Sequence, residues 1–70
     1  MQLREVLASM PLRQEVMISY VYCKNGVYGC ESFTGKVSDT YKESSIADAM
    51  IRNVHSIRTF LDKMIEIVVY

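Results

Sequence analysis

Apolar side chains fall at Leu3, Val6, Leu7 and Met10, the i, i+3, i+4, i+7 spacing of a short amphipathic helix. Pro11 disfavours helical geometry at the residue before it, so this helix is expected to end at Met10 or sooner. Two or three turns hold poorly alone in water, and the helix must lie on something apolar. From Glu15 the period changes. Glu15–Cys23 is rich in β-branched and aromatic residues and has the length of a strand. Val16, Ile18, Tyr20 and Tyr22 share one face; Met17, Ser19, Val21 and Cys23 share the other. The first set is the heavier and is expected to face the core. A returning strand is expected from Val27 to Val37, with Phe33 and Val37 pointing inward and with Gly29 and Gly35 marking bends.

After Val37 a polar loop leads to a short helical pattern. Ser45 with Asp48 three residues later fits a capping box, Ile46, Ala49 and Met50 form the apolar stripe, and Asn53 closes the segment. Asn53–Phe60 and Met64–Tyr70 then read as two strands, bent around Leu61–Lys63. No internal repeat, low-complexity tract or linker interrupts the chain, so residues 1–70 are expected to form one small α+β domain. Its order is N-terminal helix, β-hairpin, short helix, second β-hairpin, with the four strands as a curled antiparallel sheet or small open barrel.

In the last strand alternation fails. Ile65, Ile67 and Val69 fill one face, while Met64, Val68 and Tyr70 occupy the other with Glu66. A strand apolar on both faces is normally covered on both, and bare it would invite aggregation. One cover is the core; the other is one of the short helices or a second chain. Met64, Val68 and Tyr70 are therefore the candidate protein-interaction residues, for a protein partner or for self-association as a homodimer or ring.

Lysine plus arginine equals aspartate plus glutamate, eight of each. The resulting neutrality provides no bulk attraction to nucleic acid or to an anionic membrane, and leaves self-association unopposed. Arg4 and Glu5 interrupt the first apolar segment, which excludes a signal peptide, and no apolar run approaches the ~20 residues that cross a bilayer. The chain reads as a soluble cytoplasmic product starting at Met1, with no membrane partner and no cofactor. Its two cysteines are then expected to remain thiols.

Those cysteines flank the stretch that most resembles chemistry, "YCKNGVYGC". Asn25-Gly26 between strand-forming residues is the signature of a two-residue type I′ turn. That turn pairs Lys24 with Val27, Cys23 with Tyr28 and Val21 with Cys30. Cys23 and Cys30 then share a face as diagonal neighbours, ~7–8 Å apart and beyond comfortable disulfide reach. The C-x6-C spacing is too long for a zinc knuckle, and His55 is the sole histidine. The stretch is read as a hairpin, its cysteines small half-buried residues.

His55 has no nucleophile or metal motif around it, and Glu31, Asp39, Glu43, Asp48, Asp62 and Glu66 are scattered. General acid–base work needs groups whose pKa values are shifted by burial or by each other, and a core this small leaves little room for a ligand pocket of ~300 Å³. No enzyme is expected. Tyr20, Tyr22 and Tyr28, with Lys24 at the turn, are the candidates for an alternative function, stacking of single-stranded bases on the first hairpin. The basic residues do not cluster, and phosphate contacts supply most non-specific affinity, so a protein-interaction module is the preferred reading.

A helix followed by bent strands, with "GVYGCESFTGKVSD" placing glycines and an aspartate late in the second strand, resembles the layout of SH3-like and Sm-like barrels. The resemblance implies a helix packed on an open barrel, and ring formation through edge strands. The family's Asp-x-x-x-Asn RNA-binding signature has no counterpart here, since Asp39 is followed by Tyr41, Glu43 and Ser44; no RNA contact carries over. Over most of its length the chain also resembles small prophage and mobile-element proteins of Firmicutes, through "LREVL", "EVMISY" and "IEIVV". That likeness implies no activity.

Overall fold

Helix α1 (Leu3–Ala8) buries Leu3, Val6 and Leu7, the stripe set by their spacing, and Met10 packs half-buried beyond its end. Its first turn is tied by the Gln2 N–H, which donates to Glu5 Oε1 at 2.9 Å. These details come from a computed structural model that describes residues 1–60 and 63–70.

Strands β1 (Glu15–Lys24) and β2 (Val27–Lys36) are joined by Asn25 (φ 54°) and Gly26 (φ 79°). Positive φ at both central residues is the type I′ turn, and the register is the one it imposes: Lys24 opposite Val27, Cys23 opposite Tyr28, Val21 opposite Cys30. Val37 is buried, but it starts a one-turn helix, α2 (Val37–Thr40), instead of ending the strand. The turn forms because Asp39 Oδ2 accepts the Lys36 N–H at 3.1 Å and Thr40 Oγ1 donates to the Val37 carbonyl at 2.6 Å. The Val37 and Ser38 N–H groups reach back to the Gln14 and Leu12 carbonyls, both at 2.9 Å, fastening the end of β2 to the loop before β1.

The expected short helix over Ile46–Met50 is a 3₁₀ helix, Ser44–Ile51. Ile46 and Ala49 are buried and Met50 half-buried, as the stripe requires; the three-residue spacing of the two buried side chains suits three residues per turn. Its cap is Glu43, whose Oε1 accepts the Ser45 N–H at 3.3 Å, in place of Ser45 itself. Strands β3 (Val54–Phe60) and β4 (Met64–Val69) pair antiparallel, with a register shift between Val54 and Ser56. Of the bend expected at Leu61–Lys63, Leu61 and Asp62 lie outside the described residues.

The four strands form one open sheet in the order β2-β1-β4-β3. The α+β class and the curled sheet are as the sequence suggests. The difference lies at the centre, where β1 and β4 run parallel from Glu15–Met64 to Ser19–Val68, so the sheet is mixed and does not close into a barrel. These two strands are the ones with apolar residues on both faces, the pattern of central strands, and each hairpin turns its more apolar strand inward. α1, the 3₁₀ helix and Val37 pack on one face only, against Val16, Ile18 and Tyr20 of β1 and Ile67 and Val69 of β4.

Candidate interaction surface

On the face away from the helices, the strand register places side chains in rows. Thr34, Met17, Glu66 and Arg58 stand side by side across the whole sheet, and Ser32, Ser19, Val68 and Ser56 form the next row. Lys36, Glu15 and Met64 lie below them. Above, toward the hairpin tip, follow Cys30 with Val21 and then Tyr28 with Cys23. Every strand residue of the core belongs to the other face, and among the described residues no element packs on this one. Met17, Met64 and Val68 are half-buried by their neighbours within the sheet, while Val21 and Tyr28 are 41% and 77% exposed.

In the middle of this face the charge is paired. Glu66 is only 8% exposed and accepts a short hydrogen bond from Arg58 Nε on the neighbouring strand. Because the Arg58 side chain is 69% exposed, water screens the pair and it stabilises by less than about 1 kcal/mol. Its larger consequence is that the face presents no free negative charge between Met17, Met64 and Val68.

Tyr70 lies just past the end of β4, exposed, its ring edge-on to the exposed His55 at 4.9 Å between centroids and 77° between planes. The β1–β4 ladder stops at Ser19–Val68, and the next level is bridged by Arg52, at the end of the 3₁₀ helix. Its Nη1 donates to the Val21 carbonyl and to the Tyr70 carbonyl, the latter at 3.3 Å. Met64 and Val68 thus sit on the outer side of β4, while Tyr70 follows the strand's end beside His55.

The hairpin tyrosines are divided. Tyr20 is buried on the helix side, its hydroxyl donating to Glu31 Oε2 at 3.1 Å, and burial followed by the adjacent carboxylate raises its pKa. Tyr22 is half-buried on that same side, with its ring laid over Gly29; a Cβ at Gly29 would stand 2.7 Å from the ring. Tyr28 is exposed on the opposite face, and Lys24 is exposed at the turn. Cys23 and Cys30 are free thiols, diagonal on the outer face, and exposed where half-burial was expected.

An open groove of about 790 Å³ lies at the other end of the molecule, between Pro11–Glu15 and Thr59, Lys63 and Ile65. It is larger than the core size suggests because it is an open surface groove and not a cavity in the core. Gln14 lines it, its Nε2 donating to the Glu15 and Lys63 carbonyls at 2.9 and 2.7 Å. Among the described residues no three His, Cys, Asp or Glu side chains gather in a metal-binding group, and no helix is long and apolar enough to cross a membrane.

Arg52 and the Arg58–Glu66 pair are the features that sequence reasoning misses. The Arg52 bonds depend on strand order, which only the apolar character of both faces of "MIEIVVY" signalled, and the Arg58–Glu66 pair depends on the register of the second hairpin, which has no turn signature like Asn25-Gly26 to set it. Compared with known proteins, the chain matches no family model, no curated protein and no solved structure.

Proposed function

We propose that this chain is a small non-enzymatic protein-interaction module that self-associates. The observation carrying this reading is the open outer face. Among the described residues nothing covers Met17, Val21, Met64 and Val68, although the central strands β1 and β4 have the two-sided apolar pattern of covered strands. The chain's net charge of zero adds no repulsion between copies, and the Arg58–Glu66 pair neutralises the charge in the middle of that face. Removing such surface from water is favourable and requires no directional chemistry.

Sedimentation velocity tests it. Over a range from roughly 5 to 500 μM the weight-average sedimentation coefficient is expected to rise as copies associate by mass action. A value that stays at the monomer level throughout would overturn the reading.

A further inference from the structure

Strand β2 is an edge strand of ten residues with no register shift along its length, and among the described residues nothing pairs with its outer side. The other edge, β3, is shorter and carries the irregularity between Val54 and Ser56, a feature that turns an edge away from partners. In a two-residue hairpin the residues flanking the turn exchange both backbone hydrogen bonds, and bonded pairs then alternate along the ladder. The pair Lys24–Val27 therefore sets the phase. Tyr28, Cys30, Ser32 and Thr34 direct their N–H and C=O groups to the open side. The same phase sends the Val21 carbonyl toward β4, where it accepts from Arg52 Nη1, in agreement with the assignment.

From this phase we propose that two copies join by antiparallel pairing of β2 with β2 about a twofold axis at Ser32, making one continuous eight-stranded sheet from two four-stranded ones. The proposal rests on the self-association reading and adds an edge contact to it, since pairing through β2 leaves the outer face of Met17, Met64 and Val68 open for its own contact. Three features select this register. It pairs Ser32 with the partner's Ser32 and Cys30 with the partner's Thr34, so that the open groups from Cys30 to Thr34 meet one another, and it sets Tyr28 beside the partner's Lys36 at the end of the strand. Centring one residue earlier, on Glu31, would set two carboxylates directly opposite, a destabilising pair. Gly29 also falls opposite the partner's Gly35 at the closely spaced type of position. Both glycines lie beneath an aromatic ring, Tyr22 over Gly29 and Phe33 over Gly35, where a Cβ would stand 2.7 and 2.9 Å from ring atoms. Across the axis these rings lie side by side, giving the junction an apolar contact on the helix side. Lys36 ends the bonded stretch, because its N–H already donates to Asp39 Oδ2 at 3.1 Å and, as the residue before α2, its carbonyl accepts the first bond of that helix.

Cross-linking tests the register. In a Cys23→Ser, Cys30→Ser background, Ser32→Cys places thiols on the axis, where Cα atoms of a hydrogen-bonded pair are ~5.5 Å apart and within disulfide range. Mild oxidation with diamide is expected to convert most of this variant to covalent dimer. Thr34→Cys in the same background, four residues or ~13 Å from its own copy, is expected to give at least about tenfold less. Ser32→Pro, tolerated on an edge because its N–H faces away from β1, is expected to keep the circular dichroism of the parent and weaken association by about 100-fold. If the parent associates but Ser32→Pro associates equally and Ser32→Cys cross-links no better than Thr34→Cys, the edge assignment is wrong and the outer-face reading survives. A parent that sediments as a monomer throughout overturns both.

Discussion

Tyr20 shows how much one side chain's surroundings decide. It alternates in phase with Val16 and Ile18, so its ring is buried, and its hydroxyl needs a partner there, which Glu31 supplies from directly across the hairpin at 3.1 Å. Burial and the carboxylate both oppose the phenolate, so the folded pKa exceeds the unfolded value of about 10. Between those two values the folded chain holds a proton that the unfolded chain has released. Stability from this source is therefore complete below pH ~10 and is lost as pH rises through the folded pKa. Tyr20→Phe is expected to cost about 0.5–1.5 kcal/mol at neutral pH and to flatten the decline of the urea midpoint above pH 10. An alkaline decline of the same steepness in both proteins would count against it.

Among the elements, the first hairpin was the most legible. Asn25-Gly26 specifies its own dihedrals, and from the turn follow the register, the faces and the diagonal cysteines. Helix α1 was legible because four apolar residues at helical spacing precede a proline. The 3₁₀ helix was legible in its buried residues but not in its winding or cap. Those depend on packing against α1 and on Glu43 reaching the Ser45 N–H first. Arg52 belongs to this scale, since it ties three elements whose ends would otherwise fray: the 3₁₀ helix, β1 at Val21 and β4 at Tyr70. Arg52→Ala is expected to destabilise by about 1 kcal/mol, since its carbonyl partners are solvent-accessible and water replaces the guanidinium. Amide exchange should accelerate in the hairpin beyond Tyr20 while Val16 and Ile18 keep their protection. Uniform acceleration throughout the sheet would show that Arg52 supports the whole domain instead.

For the whole molecule the decisive quantity is how little core it has. Seventy residues cover one face of one sheet, and Ile67 sits at the centre of that single layer, fully buried between β1 and β3. Ile67→Ala is expected to cost about 2–5 kcal/mol, comparable with the entire stability of so small a domain. The variant should show largely unfolded circular dichroism at 25 °C, and native-like urea stability would mean the core is more redundant than its packing indicates. The same shortage explains the open face. Two short helical segments cover one side of the sheet, and nothing remains in the described chain to cover Met17, Met64 and Val68 on the other.

By itself the sequence determined the local structure: the type I′ hairpin, the amphipathic stripe of α1, and the division of β1 into a core face and an outer face. Each follows from dihedral preference or periodicity within a few residues. Only the tertiary structure decided that β1 and β4 pair in parallel, that α1 and the 3₁₀ helix lie on one side, that Arg52 reaches Val21 and Tyr70, and that among the described residues β2 is left as a regular free edge. Those outcomes depend on which strand lies beside which. Strand order is set by competition among distant apolar surfaces, and no single stretch of the chain contains both competitors.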